Sequence, residues 1–473
     1  MGKSGRSSFL KGRVTSAGMF AFMASQTRWT ADQPRQGMSR RVAPSKKAVY
    51  SSHKPFSVSI ILLTVPRLLE RDALGKLTVG LAVAEMPREP LARISQLGFM
   101  VTAYSIPAVK ALALGSTRYQ QLSVLTRDDP SRSPAWQRAW YLAFGDIDHD
   151  PVVLVEDEGA RLCGFLALHW AKPRFIGDPV RRLRSTTNGH SAYTALSVSP
   201  RRPEVLHSLL DAGALLPWDQ MELVAVQAPL AERVAEWARS RGLIAQLGGK
   251  RSTPVFSFNR TGSNRSPTSG FPARSPQTRS RERALERQGT LVLEVVNIPT
   301  DLRHALEEYL EAESRSWKAG SGELLTADPF ITRFYRELVE AADDRTRPVI
   351  HFLRLDGNVI AARFSVLKDG MLVANKTFFD DALRRSAPGI ILEHRFLEAV
   401  AENPAVDHID FYTRMQHYDA FANRHEDFQN IRVWKKTLTG RAAYVADRIT
   451  AKLQPIAGQL RRRIRGLRQG ENN

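Results

Sequence analysis

The chain has 473 residues, with 68 Lys and Arg against 48 Asp and Glu, and a formal net charge of +20 at pH 7. A hydrophobic share of 43% supports folded cores and excludes a wholly disordered or collagen-like chain. The single cysteine, Cys163, excludes a disulfide framework and a cysteine-based zinc site, and fits a reducing compartment.

So large a positive charge invites a nucleic-acid reading, and its location decides whether that reading holds. Residues 1–69 carry +11, residues 250–287 carry +7 and residues 451–473 carry +5, which leaves about −3 for the remainder. The excess therefore marks segments beside the folded blocks, not a binding face.

In chain order, residues 1–96 read as a basic, poorly ordered extension. Positions 1–55 are rich in Ser, Arg and Lys without helical or strand period, and there is no secretory apolar region with a small-residue cleavage site. The apolar run 58–65 is too short to span a bilayer. An over-called start ahead of Met86 or Met100 is one account of this extension, and the choice among Met1, Met86 and Met100 stays open. Residues 97–258 form a first folded block, with a hairpin from 151 to 168 about Glu158-Gly159, a strand at 222–226, a helix at 231–242 and a strand at 253–258. Residues 259–289, rich in Ser, Pro and Arg, read as a linker that cannot offset its chain entropy by burial.

A second block spans 290–440. Helices are predicted at 301–312 and 330–342, the latter with Phe330, Phe334 and Leu338 on one face. Strands follow at 349–355, 359–367 and 371–379, joined by Asp356-Gly357 and Asp369-Gly370, the turn chemistry of a hairpin. A helix at 389–400 and strands at 406–412 and 431–436 complete it. The first block echoes this plan, which predicts two tandem α+β domains. In the tail, 441–473, Val445, Ile449, Leu453, Ile456, Leu460, Ile464 and Leu467 recur at steps of four and three, with Arg461, Arg462, Arg463, Arg465 and Arg468 near the end. Two readings stay open: a basic amphipathic helix on an anionic membrane, or, the commoner arrangement, a helix packing this stripe on its own domain.

Motifs for P-loops, serine hydrolases and zinc proteases are missing. Gly320-Ser321-Gly322 follows a helix and is not a dinucleotide fingerprint. The histidines are scattered, and no metal is expected. One junction carries chemistry: the strand 371–379 runs through Asp380 to Gly389 into a helix start, where free backbone N–H groups beside Arg384 and Arg385 suit a phosphate or pyrophosphate. The alternative, given equal weight, is that Ser386 caps the helix and Pro388 begins it. Lys376 and Asp380 fall on one strand face, as a site or as an exposed ion pair. Trp317 reads as a core anchor or a ligand platform, Lys318 as a loop residue over substrate or a solvated one. Glu393 and His394 could equally face solvent, and Cys163 reads as core.

The segment 313–322, with Ser316-Trp317-Lys318 and the following glycines, resembles the Fem-like, cellulose-biosynthesis-type branch of the GNAT acyltransferases. Segments 355–361, 376–380 and 386–389 occur in the order that branch shows. The resemblance implies two tandem GNAT-like domains with mostly antiparallel sheets, the acyl donor in the second and the acceptor in a cleft between them. It implies an acyl-CoA-dependent N-acyltransferase using acetyl-CoA or another acyl-CoA, with no metal, acting in the cytoplasm on a small-molecule or glycan amine in polysaccharide or envelope biosynthesis. It also implies roles: Asp380 to orient the amine, Lys376 to polarise a carbonyl or hold an anionic acceptor, and Tyr412 as general acid. Arg384, Arg385, Ser386, Ala387 and Gly389 would hold the CoA phosphates, and Trp317, Lys318 and Arg414 would flank the acceptor. The chain departs from the branch at Arg414, near a usual glycine, at Tyr418-Asp419, where Tyr-Lys is usual, and at the additional Ala387. Three alternatives are a Fem-like transferase using charged tRNA, against which the near-neutral folded part weighs, a nucleic-acid-binding protein acting through basic tails, and a degenerate acyltransferase serving as a scaffold. Acyl chain, acceptor and oligomeric state are not legible.

Overall fold

The computed structural model describes residues 92–96, 99–126, 129–258, 273–413 and 415–453, with side chains from residue 101 onward. The basic extension up to residue 91, residues 259–272 of the expected linker, Arg414 and the tail beyond 453 lie outside the described residues.

The first half runs β1 (Ala92–Gln96), β2 (Phe99–Pro107), α1 (Ala108–Ala111), α2 (Thr117–Leu125), α3 (Pro134–Phe144), β3 (Pro151–Asp157) and β4 (Leu162–Trp170). It continues with β5 (Arg182–Ser185), β6 (Leu196–Val198), α4 (Val205–Leu215), β7 (Gln220–Gln227), α5 (Ala228–Ser240), β8 (Ile244–Leu247) and β9 (Arg251–Ser257). The second half runs α6 (Pro276–Glu286), β10 (Leu291–Val296), α7 (Pro299–Glu313), α8 (Pro329–Glu340), β11 (Thr346–Leu355), β12 (Asn358–Lys368) and β13 (Met371–Phe379). It ends with α9 (Pro388–Glu402), β14 (His408–Asp410), β15 (Arg424–Trp434) and a helix α10 over 438–453.

Local chemistry sets these elements. Both turns of the β11–β12–β13 meander place two consecutive residues at positive φ, Asp356 (48°) with Gly357 (81°) and Asp369 (43°) with Gly370 (91°). That is the twist a two-residue hairpin needs, and Asp-Gly supplies it cheaply. Helix α3 starts with Pro134 behind a Ser133 cap that accepts from the Trp136 N–H at 3.2 Å. Helix α8 starts with Pro329 behind Asp328, which accepts from Phe330 N–H at 2.8 Å. Phe334 and Leu338 of α8 are buried as expected, whereas Phe330 in the first turn is 55% exposed.

Both halves follow one plan: a helical stretch, an antiparallel hairpin, a strand, a helix, and then a strand parallel to its predecessor in space. The parallel pairs are β5 with β7 and β13 with β14. The halves are interleaved. The sheet order β1-β2-β3-β4-β5-β7-β15-β9-β14-β13-β12-β11-β10 puts the last strand of each half into the sheet of the other. One apolar cluster also spans both halves, from Trp136 and Trp140 of α3 to Phe334 and Tyr335 of α8, with the Trp136 and Phe334 rings 5.6 Å apart edge to face. The chain is a tandem repeat, but its halves share a sheet and a core.

The expected linker needs correction over 273–289. Ser275 caps α6 by accepting from Thr278 N–H at 3.0 Å, and Leu285 is fully buried among Leu353, Ile391 and Leu392. Glu282 joins Arg274 and Arg395, and Glu286 meets Arg395 at 2.9 Å. Composition hid this helix because one leucine and a charge network, not an apolar stripe, dock it on α9. The expected strand 406–412 shrinks to β14: Asp410 Oδ1 accepts from the Tyr412 N–H at 2.7 Å, and Tyr412 turns out of the sheet at φ 53°.

Candidate active site

The parallel pairing of β13 with β14 covers Met371, Leu372 and Val373 against His408, Ile409 and Asp410, and then stops. Beyond it β13 carries a bulge. Ser365 opposes Ala374 and Phe364 opposes Lys376, which leaves Asn375 as the additional residue. The bulge resets the alternation so that Lys376 and Phe378 share the face of Phe364, towards α7 and α8.

The opening between the strands is met by residues 186–193 of the first half. Asn188 Oδ1 accepts from the N–H groups of His190 (2.8 Å) and Ser191 (2.9 Å), folding this loop on itself. Lys376 Nζ donates to the Gly189 carbonyl at 3.0 Å, and Tyr412 Oη accepts from the Ala192 N–H. Trp136 Nε1 donates to Ser191 Oγ at 3.1 Å. The His190 ring lies against Phe144 and Tyr335, with Nδ1 3.2 Å from Tyr335 Oη. Each half thus supplies part of this candidate site.

Its electrostatics follow from desolvation. Lys318 is 6% exposed, with Nζ 2.7 Å from Glu313 Oε1, and Glu313 Oε2 accepts from Leu325 N–H at 2.7 Å. Removal from solvent, with the Lys318 ammonium nearby, holds Lys376 down to about 8, while Glu313 and Glu323 oppose the shift. The same desolvation, reinforced by Lys376 and Lys318, holds His190 well below its usual 6.5, so its imidazole is neutral. A neutral imidazole and a cation at one opening can take a proton and face a developing oxyanion.

Asp410 lies at the edge of the opening, and burial pushes its carboxyl up to about 7, with Asp129 and Glu426 acting in the same direction. A carboxyl raised in the fold favours folding when protonated, and that advantage is lost as pH rises from about 4 through about 7. Asp410→Asn is therefore expected to raise the melting temperature at pH 8 and to give little gain at pH 4, as read by thermal denaturation at both values.

Beyond the C-terminal end of β13, α9 begins with Pro388 at its first position behind Ala387, which sits at φ 49° and makes no side-chain capping bond. Ser386 ends the preceding turn and is not the cap, which is Ala387, whereas Pro388 does begin the helix as the cap-only alternative expected. A Cβ on Gly389 would meet Phe379 Cδ1 at 3.0 Å, a close approach that favours glycine. Arg384 pairs with Asp381 at 2.6 Å, and Arg385 is exposed.

Other expected residues take different parts. Asp380 Oδ1 accepts from Ala382 N–H at 2.9 Å and starts that turn, so its carboxylate is a cap. Tyr412 keeps its phenol well above 10 through burial and accepts from Ala192, which suits a clamp on the 186–193 loop better than a general acid. Trp317 is half-buried, its ring 6.4 Å from Phe379, and Lys318 is neither solvated nor free to close over substrate. Arg414 lies outside the described residues. Cys163 is core, its thiol pushed up to about 12 by burial. Glu393 does not face solvent: it pairs with the fully buried Arg363, whose Nη2 also donates to Tyr418 Oη at 2.9 Å. Neither His190 nor Arg363 stood out in sequence, although Asn188-Gly189 was a visible turn signal before His190. Among the described residues, no group of three or more His, Cys, Asp or Glu side chains is placed to hold a metal.

Residues 273–420 match the family model of the acetyltransferase (GNAT) domain. No curated protein matches the sequence. Solved structures that align with this chain include a tandem GNAT protein from the clavulanic acid biosynthesis pathway, at 12% identity over 70% of this chain and 98% of that one, TM-score 0.40. FemX aligns at 10% identity over 66% and 94%, TM-score 0.45. The C-terminal domain of a putative lysylphosphatidylglycerol synthetase from Agrobacterium fabrum aligns at 11% identity over 70% and 95%, TM-score 0.41.

Proposed function

We propose that the protein is an N-acyltransferase that moves an acyl group from an acyl-CoA to an amine where β13 and β14 part, a reading consistent with the match of residues 273–420 to the acetyltransferase (GNAT) domain model. What supports this reading is the convergence of a neutral His190 and the Lys376 ammonium beyond the point where the pairing of β13 with β14 stops, on the strand that runs on to the turn before α9, whose N-terminus has no side-chain cap. That terminus, with Arg384 and Arg385, suits the CoA phosphates. His190 takes a proton from the amine as its nitrogen bonds to the thioester carbonyl carbon. Lys376, an ammonium with donors beyond the one given to Gly189, faces the oxyanion. Collapse breaks the C–S bond, and the proton on His190 passes to the departing thiolate. The acceptor is an amine on a small molecule or glycan of polysaccharide or envelope assembly, and the setting is the cytoplasm; both follow from the sequence resemblance.

Calorimetry with the full chain tests the donor. Acetyl-CoA or CoA should bind, and Gly389→Trp should weaken binding by roughly tenfold or more, since a side chain there must displace Phe379 or fill the phosphate approach. Absence of CoA binding in the parent, or aminoacyl transfer from charged tRNA in its place, would reject this reading.

A further inference from the structure

Helix α10 leaves β15 and packs on the first half through one face only. Gly440, Ala443 and Asp447 are buried. Asp447 accepts from Gln220 Nε2 at 2.8 Å and meets Arg174 at 3.0 Å, while Tyr444 stacks edge to face on Trp434. Where the helix starts, a Cβ on Gly440 would lie 2.2 Å from the Lys435 carbonyl, so the chain approaches there without a side chain. Thr439 adds a hydrogen bond to Asp219.

The apolar stripe is on the opposite side. Leu438 is 89% exposed, Val445 54%, Ile449 54% and Leu453 55%. At 100° per residue these positions fall within one quadrant centred opposite Ala443 and Asp447. Arg441, Arg448 and Lys452 form a column along one border of the stripe, all exposed. The commoner expectation, that the stripe packs the helix onto its own domain, is thus reversed: a small and polar face does the packing. In sequence the stripe continues at the same steps through Ile456, Leu460, Ile464 and Leu467, and residues 451–473 hold six basic residues against Glu471.

We propose that α10 is a docking face for an anionic lipid surface. An exposed aliphatic stripe bordered by basic side chains matches the two parts of such a surface, acyl chains below and negative headgroups above. The charge complementarity selects this occupant over a second copy of the chain, whose α10 would bring the same positive column. Among the described residues, no helix is long and apolar enough to cross a membrane, so the contact is peripheral.

The test is co-flotation of the full chain with vesicles of phosphatidylcholine, alone or mixed with phosphatidylglycerol. The parent should float with the mixed vesicles, less so as salt is raised, and stay behind with neutral ones. Val445→Asp/Ile449→Asp and, separately, Arg441→Glu/Arg448→Glu should each weaken binding at least about tenfold. Their thermal melts should match the parent because all four side chains are exposed. A parent that ignores anionic vesicles, or variants that bind like the parent, would overturn the proposal. So would a concentration-dependent dimer of the parent that Ile449→Asp dissolves, which would assign the stripe to a second copy. Acyl-CoA binding is read separately, so failure here leaves the catalytic reading untouched.

Discussion

Arg363→Met is expected to cost about 3–5 kcal/mol of folding stability at pH 8, measured by chemical denaturation, because it strands a buried carboxylate. Arg363 sits on β12, fully buried, with its guanidinium paired to Glu393 of α9, bonded to Tyr418 and stacked 4.8 Å from the Phe396 ring. Burial pushes the Glu393 carboxyl up, and Arg363 and Tyr418 pull it back. Without the guanidinium, Glu393 can escape only by taking a proton, so the loss should shrink as the pH is lowered towards 5. Arg363→Met/Glu393→Leu should recover most of the loss, since replacing both charges removes the desolvation cost with the attraction. A double variant as unstable as the single one would mean that Arg363 acts by shape and not by charge.

The second large effect concerns turnover. His190→Ala should lower kcat by about 10²–10⁴-fold, the range for a positioned base, while acyl-CoA affinity changes little. The pH profile carries the sign. Since His190 stays neutral down to well below 6.5, kcat should be flat on the acid side of neutrality. As pH rises through about 8, Lys376 loses its proton and with it the charge facing the oxyanion, so kcat should fall. Lys376→Arg, which retains its charge at any accessible pH, should lose that alkaline fall. A parent profile that rises through 8 would instead make Lys376 the base and remove His190 from that role.

Much of the site's frame was legible in the chain. The Asp-Gly turns announced the β11–β12–β13 meander because positive φ at two successive positions is a local demand that few residue pairs meet. Pro388 and Gly389 marked the start of α9, and the segment 313–322 pointed to a tandem acyltransferase plan. What sequence could not show was partnership across distance. His190 lies 186 positions from Lys376, in a loop whose only local signal is Asn188-Gly189, and it becomes a candidate base because Tyr335, Phe144 and the two lysines surround it. Asp380, attractive by its spacing from Lys376, is taken up as the cap of the turn Asp381–Ser386, where it accepts from the Ala382 N–H. Glu393 looked indifferent until β12 placed Arg363 against it.

The +20 charge also divides along this line. Its placement in the extension, the 250–287 segment and the tail is a property of the sequence, as are the periods of the strands and of α10. That 273–289 docks through Leu285 and a charge network, that the two halves trade their last strands, and that the α10 stripe faces outward are decided only by tertiary packing. Periodicity states that a helix has an apolar side; it holds no information on which side the rest of the chain will cover. Here the covered side carries Gly440, Ala443 and Asp447, because a close backbone approach and two hydrogen bonds from the first half hold it there.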